Sequence, residues 1–223
     1  MTNEEYYGSY GKSEEKIDGI SGIHEAAAIV TRNHYGCLVL NTAQSLFIDV
    51  DLPAPSPLIR SAEERRECWQ EITTRIFDDL RIVLANERNE GFRIYRTAAG
   101  FRILATAHEF EPGSKRSKRL MEAAGADADF VDLCAIQKSF RARLTPKPWR
   151  CGMKRPPCSY PRTSADDQRC FSEWLSQYDR LCRDKATCQY LGHVGLSEVH
   201  DRVAPIIEVH DRETRALQAL PLA

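Results

Sequence analysis

Two alternating runs around a short turn constrain the fold of this chain most strongly. Apolar and polar side chains alternate over much of residues 92–97 and 101–108, and Ala98, Ala99 and Gly100 separate the two runs. Alternation with a period of two is the pattern of a β-strand, and a short turn with glycine joins neighbouring antiparallel strands. The sequence therefore predicts a β-hairpin over residues 92–108.

A further predicted strand, residues 45–52, ends in a pair of aspartates. Side chains two positions apart on a strand point to the same face, so Asp49 and Asp51 are expected to project together. Neighbouring carboxylates repel unless a cation neutralises them, and a hard cation such as Mg²⁺ or Mn²⁺ binds through such oxygens. This predicts a metal site at Asp49 and Asp51. The alternative is a strand end whose aspartates are solvated or paired with arginine.

A long amphipathic helix is predicted after the aspartate strand. Ser61 with Glu64 three residues later is typical of a helix N-terminus. Apolar residues then recur at helical spacing as far as about Glu90, and Gly91 follows. We expect the apolar stripe of this helix to face the core.

The predicted elements between residues 45 and 145 follow the order strand, helix, strand, strand, helices, strand. This βαββαβ order is typical of ferredoxin-like and RNA-recognition-type (RRM-like) folds. We therefore expect an α+β fold with such a core and a C-terminal α-rich elaboration. An added N-terminal strand at residues 36–40 is expected to form a hairpin with the strand at residues 45–52. The expected division is a flexible tail at 1–20, a core at 21–150 and a cysteine-rich segment at 151–223.

The composition is that of an ordinary soluble globular protein, with 42% hydrophobic and 28% charged residues. The formal net charge is −1, so any nucleic-acid binding must come from a local patch. No apolar run approaches the roughly 20 residues that span a bilayer. The polar, acidic N-terminus shows no signal-peptide pattern. We expect a cytoplasmic protein without membrane contact.

Eight cysteines occur in the chain, five of them after Arg150. In a cytoplasmic protein they are expected to be reduced thiols. The spacings Cys151-x6-Cys158 and Cys182-x5-Cys188 differ from the tight two-residue pairs of zinc modules. Ordinary buried thiols are the favoured interpretation, and structural Zn²⁺ is the alternative.

The basic run from Arg141 to Arg150 is the other functional candidate. Alternating arginines on a strand present fork-shaped donors to one surface, which suits phosphate. Trp149 offers a face on which a base can stack. The residues predicted to contact nucleotide or nucleic acid are Arg141, Arg143, Lys147, Trp149 and Arg150. The alternative is an arginine strand whose side chains pair with surface acids.

Two short motifs resemble those of a known family. Residues 47–53, an apolar strand ending in Asp-x-Asp, resemble the first motif of the archaeo-eukaryotic primase and primase-polymerase superfamily. Residues 95–104 resemble its second motif, a hairpin with a small-residue and glycine turn that leads to a basic residue. The resemblance implies that Asp49 and Asp51 bind a divalent metal. It also implies that Arg102, at a position the family usually fills with histidine, contacts nucleotide phosphates.

The third motif of that family, an apolar residue and an aspartate on a late strand, is missing from residues 139–145. The candidate catalytic residues are Asp49, Asp51 and Arg102, and Arg96 is expected to help neutralise phosphate groups. The expected function is metal-assisted handling of nucleotide or nucleic-acid phosphates, with primase-polymerase-like nucleotidyl transfer as its enzymatic form. The alternative is a non-catalytic module that binds nucleic acid or a protein partner through residues 141–150.

Few other motifs in the sequence are typical of a catalytic or cofactor-binding site. The chain has no P-loop, no Rossmann glycine motif and no nucleophile elbow. The dipeptide His-Asp occurs at residues 200–201 and 210–211. Such a pair can bind a metal or transfer protons, but hydrogen-bonded surface or capping residues are the favoured interpretation.

Overall fold

The computed structural model describes residues 14–223, which contain two antiparallel four-stranded sheets and five α-helices. The strands are β1 (Glu15–Ile17), β2 (Ala28–Arg32), β3 (Leu38–Thr42), β4 (Phe47–Asp51), β5 (Gly91–Thr97), β6 (Gly100–Ala105), β7 (Phe140–Arg143) and β8 (Cys188–Gly195). The helices are α1 (Ala62–Ala85), α2 (Lys115–Ala123), α3 (Ala128–Ile136), α4 (Ala165–Cys182) and α5 (Ala204–Thr214), and a 3₁₀ helix spans Pro148–Cys151. The predicted α+β class is confirmed.

Sheet I has the strand order β1-β2-β3-β7, and sheet II has the order β4-β6-β5-β8. The predicted hairpin is confirmed as β5 and β6, which pair from Phe92 opposite Ala105 onward. Strand β4 pairs with β6 in a register that places Asp49 opposite Arg102. Every residue of β6 is buried, because the strand lies inside sheet II and within the main hydrophobic core.

Helix α1 begins where the sequence predicts. The Ser61 side chain caps it by accepting a hydrogen bond from the Glu64 backbone N–H at 3.4 Å. The helix ends at Ala85, five residues before the predicted end, and its Leu80 and Leu84 are buried in the core. Neither α1 nor any other helix in the described residues is long and apolar enough to cross a membrane.

The predicted hairpin between residues 36–40 and the aspartate strand is wrong. Strand β3 pairs with β2 on one side and with β7 on the other, all in sheet I. Strand β4 lies in sheet II, so residues 43–46 carry the chain from one sheet to the other. Two apolar runs around a polar turn predict two strands, but the pattern does not determine whether those strands pair with each other.

The ferredoxin-like core is not confirmed. Three of its expected strands, β4, β6 and β5, are neighbours in sheet II, and α1 connects β4 to β5. The fourth expected strand, β7, pairs with β3 in sheet I. The edge of sheet II beside β5 is occupied by β8 from the C-terminal segment, which is therefore not purely helical.

The predicted flexible tail lies largely outside the described residues, which begin at Glu14. Residues 15–17 form β1, which pairs antiparallel with β2 at the edge of sheet I. Glu14 accepts hydrogen bonds from Arg141 of β7 at 2.8 and 3.0 Å. Residues 14–17 are therefore attached to sheet I by backbone pairing with β2 and by the contact between Glu14 and Arg141.

Gly100, where β6 begins, lies against the backbone of β4. A Cβ atom at this position would overlap the carbonyl oxygen of Val50. We expect Gly100→Ala to lower the free energy of unfolding by about 1–3 kcal/mol, as overpacking does elsewhere. Urea unfolding measures this change, with Ala98→Ser in the same turn as the control that changes little. Equal stability of Gly100→Ala and wild type would contradict the close approach of β4 and β6.

Candidate functional site

A pocket of about 190 Å³ lies beside the C-terminal end of β4. Its charged lining residues are Asp49, Asp51, Asp127, Arg102, Arg143, Lys147 and Arg150. Strand β4 contributes the first two, β7 contributes Arg143, and the 3₁₀ helix with the residue before it contributes the last two. The pocket therefore brings together the aspartate strand and the basic segment, which are far apart in the sequence.

Three predicted site residues lie outside the pocket lining. Arg96 donates to two backbone carbonyls of its own hairpin at 2.6 and 2.9 Å. Arg141 forms a salt bridge with Glu14. This agrees with the alternative interpretation, in which the arginines of this strand pair with acidic side chains. Trp149 lies on the surface and is 45% exposed.

The carboxylate of Asp49 is held by Arg102 from the neighbouring strand. Arg102 Nε and Nη2 donate to the two Asp49 oxygens at 2.7 and 2.8 Å, and Arg102 Nη1 donates to the Arg143 carbonyl at 2.8 Å. Burial raises the pKa of Asp49, but Arg102 and Arg143 outweigh burial and hold that pKa below its usual value. Asp49 is thus neutralised by an arginine, which was the alternative interpretation of the aspartate pair.

The two aspartates predicted to bind a divalent cation differ in their surroundings. Both Asp49 oxygens accept from Arg102, and Asp51 is exposed. Within residues 14–223, no three His, Cys, Asp or Glu side chains are grouped so that they could hold a metal ion, zinc included. Mg²⁺, Mn²⁺ and structural Zn²⁺ therefore remain sequence-based predictions.

Arg143, Lys147 and Arg150 form what we call the cationic cluster. None of the three forms a salt bridge with another residue in the part of the chain that the structure describes. Burial lowers the pKa of Lys147, and Arg143 and Arg150 lower it further, against an opposing effect of Asp51. Burial and Arg102 also lower the pKa of Arg143. A bound anion would relieve this repulsion, so the cluster is suited to a phosphate or carboxylate group.

Next to the cationic cluster lies a surface patch formed by Tyr35, Trp149 and Arg155. Lys147 Nζ lies 5.5 Å from the centroid of the Trp149 ring, and the Arg155 guanidinium lies at the same distance from that centroid. Tyr35 meets Trp149 edge-on, with ring centroids 5.3 Å apart. An exposed indole flanked by cations is suited to stacking a nucleic-acid base whose phosphate lies nearby.

Some pocket residues were not singled out from the sequence. Asp127 caps α3 by accepting from the Phe130 backbone N–H at 3.2 Å, and both residues line the pocket. Thr187 also lines it and donates to the Leu144 carbonyl at 2.8 Å. An aspartate before a helix is a recognisable capping signal. Its proximity to β4 depends on tertiary packing, which no local pattern encodes.

The His210–Asp211 pair is buried, whereas residues 200–201 lie near the surface. His210 Nδ1 lies 3.1 Å from Asp211 Oδ1, and the Tyr95 hydroxyl donates to the same oxygen at 2.7 Å. The Cys188 Sγ lies 3.9 Å from His210 Nε2. Cys188 and His210 are fully buried, and the network joins α5 to strands β5 and β8 of sheet II.

Comparison with known proteins finds no relative from which a role could be transferred: no protein-family model, no curated protein and no solved structure matches the chain. The function is therefore inferred from the geometry and charge of the pocket.

Proposed function

We propose that this protein binds a single-stranded nucleic acid, with a phosphate group at the cationic cluster and a base stacked on Trp149. The observation that carries the proposal is the cluster itself. Three cationic side chains line one pocket, and none has a salt-bridge partner among the described residues. Arginine supplies a planar fork of donors and lysine a compact charge, and both recognise phosphate.

The size of the pocket favours a phosphate group over a whole nucleotide. Pockets that enclose small molecules usually measure about 300–1,000 Å³. A pocket of about 190 Å³ is smaller, so the sugar and base of a bound nucleotide would lie outside it. Trp149 is half-exposed beside the pocket and can receive an unpaired base.

Binding of this kind needs no metal. Asp49 is already neutralised by Arg102, and the Arg102 guanidinium is in turn fixed against the Arg143 backbone. We infer that this pair positions the end of β7 and thereby Arg143 at the pocket. The proposed function therefore corresponds to the non-catalytic alternative drawn from the sequence.

Fluorescence anisotropy with a labelled oligothymidylate and a labelled oligouridylate, in the presence of EDTA, tests the proposal. One phosphate of a single strand neutralised at the cationic cluster predicts that log K falls with log salt concentration with a slope of about −0.7. A double-stranded oligonucleotide of the same sequence should bind more weakly, because its bases are not free to stack. If neither single-stranded oligonucleotide binds at low salt, the proposal is contradicted.

Replacing Trp149 with alanine should weaken oligonucleotide binding by about tenfold, which lies within the range for loss of one base–aromatic stack. The same change should leave the binding of inorganic polyphosphate unaltered, because polyphosphate has no base. Tyr160, 42% exposed, provides the matched control, and Tyr160→Ala should bind both ligands as the wild type does. Equal losses for oligonucleotide and polyphosphate would contradict a stacking role for Trp149.

The second candidate is a metal-assisted activity on nucleotide phosphates, in line with the resemblance of two motifs to those of the primase-polymerase superfamily. One observation favours it: Asp49, Asp51 and Asp127 all line the same pocket. Calorimetric titration with Mn²⁺ and a nucleoside triphosphate, on wild type and on the variant with Asp49→Asn and Asp51→Asn, tests this candidate. Nucleotide binding that requires Mn²⁺ and is lost in the variant would support it. Absence of metal binding by the wild type would contradict it.

A further inference from the structure

Two cysteine thiols are in contact at the end of the basic segment. The Sγ atoms of Cys151 and Cys182 are 3.4 Å apart, although 31 positions separate the residues in the sequence. Cys151 is the last residue of the 3₁₀ helix, and Cys182 is the last residue of α4. Both pack in a small apolar cluster with Trp174 and Tyr178. The two side chains are therefore held together by the fold on two separate helices.

We propose that Cys151 and Cys182 are a redox modification site at which a disulfide bond forms in the folded protein. The oxidant is a small disulfide such as oxidised glutathione. The sulfurs need to approach from 3.4 Å to about 2.05 Å, which is a small displacement for a 3₁₀ helix packed on a helix end.

The reaction consists of two thiol–disulfide exchanges. Cys151, the more exposed of the two, attacks one sulfur of oxidised glutathione, and its proton leaves with the released glutathione. Cys182 then attacks the Cys151 sulfur of the mixed disulfide, and the second glutathione leaves with the Cys182 proton. Two electrons pass from the two cysteines to the glutathione disulfide, and two glutathione thiols result. Burial and the contact with Cys151 raise the pKa of Cys182, which is consistent with its reacting second.

The other thiols offer no comparable pair in the described residues. The Cys158 Sγ donates to the Asp167 carbonyl at 3.4 Å, and Cys170 is exposed. Cys188 is fully buried against His210. Formation of a disulfide bond within the chain should therefore be selective for Cys151 and Cys182.

The cross-link would fix the segment that carries part of the cationic cluster. Arg150 directly precedes Cys151, and Lys147 precedes the same 3₁₀ helix. The Arg150 and Met153 backbone N–H groups donate to the carbonyls of Lys147 and Pro148, both at 2.9 Å. A disulfide from Cys151 to α4 would restrain this turn. On the basis of the proposed function, we expect the restraint to strengthen oligonucleotide binding by preorganising the cluster.

Incubation of the folded protein with oxidised glutathione, followed by alkylation, tryptic digestion and mass spectrometry, tests the modification. We expect a linked pair of peptides, residues 151–154 and 181–183, with the loss of two hydrogen atoms. Hydrogen exchange of the Arg150 and Met153 amides should slow at least threefold on oxidation. Cys151→Ser should abolish both effects, and Cys158→Ser should retain them. Failure to form this peptide pair, or equal linkage to Cys158 or Cys170, would overturn the proposal.

Oligonucleotide affinity of the oxidised and reduced forms distinguishes the regulatory effect from the proposed function. We expect the oxidised form to bind at least twofold more tightly. Equal affinity with the cross-link present would overturn the regulatory effect alone. Absence of binding in both forms would contradict the proposed function and leave the peptide evidence for the disulfide intact.

Discussion

Asp49→Asn should lower the free energy of unfolding by about 3 kcal/mol, the low end of the range for removing one partner of a buried ion pair. Arg102 is 1% exposed and gives two of its three hydrogen bonds to the Asp49 carboxylate. Without that charge, a buried guanidinium would lack its counter-ion. We expect the low end of this range of destabilisation because 31% of the Asp49 side chain is exposed and water can replace part of the lost interaction. Urea unfolding followed by circular dichroism measures this change.

Asp51→Asn is the matched control, since it makes the same replacement two residues along the same strand face. Asp51 is exposed and forms no salt bridge with the residues that the structure describes, so its replacement should change stability by less than about 0.5 kcal/mol. Equal effects of the two variants would contradict a structural role for the pair of Asp49 and Arg102.

The advantage of wild type over Asp49→Asn should depend on pH in a defined direction. The pKa of Asp49 is depressed in the folded state, so its contribution to stability is fully present above the unfolded value of about 4. The contribution is lost as pH falls through the folded pKa. The stability difference between the two proteins should therefore be constant at neutral pH and shrink only in acid. A difference that disappears between pH 5 and 7 would contradict this assignment.

Replacing Lys147 and Arg150 together with alanine should weaken oligonucleotide binding at least tenfold and make it much less sensitive to salt. Two of the three cationic side chains at the pocket would be lost. The slope of log K against log salt concentration should move from about −0.7 toward zero, because Arg143 alone would neutralise the bound phosphate incompletely. Fluorescence anisotropy over a series of salt concentrations measures both quantities.

The control for this variant is Lys115→Ala with Lys118→Ala on α2, which removes two positive charges outside the pocket lining. It should bind with nearly wild-type affinity and salt dependence, because a bound phosphate responds to nearby charge far more than to net charge. If both double variants lose affinity equally, attraction is a property of the whole surface and the pocket has no special role.

The sequence predicts local elements well, because their causes are local. Alternation and a small-residue turn determine the hairpin of β5 and β6, and a Ser with Glu three residues later determines the start of α1. The pairing of β3 with β7, about a hundred residues later, depends on how the chain packs as a whole. The predicted hairpin of β3 and β4 failed for that reason.

The site was predictable in part. Arg141 and Arg143 share a strand and a face, yet Arg141 reaches Glu14 while Arg143 reaches the pocket. Which arginine has a partner depends on a contact with a distant segment, so sequence spacing could not separate them. The pairing of Asp49 with Arg102 likewise follows from the register of β4 against β6, which no motif in either strand determines. Residue type identified the candidates, and tertiary structure decided their roles.

Titration of a labelled single-stranded oligonucleotide with the wild-type protein, in EDTA and again in Mn²⁺, tests the central claim most directly. The claim is that the cationic cluster binds phosphate groups without a metal. The predicted result is binding in EDTA that Mn²⁺ does not strengthen, with a slope of about −0.7 against log salt concentration. Binding that appears only with Mn²⁺, or no binding in either condition, would contradict the claim.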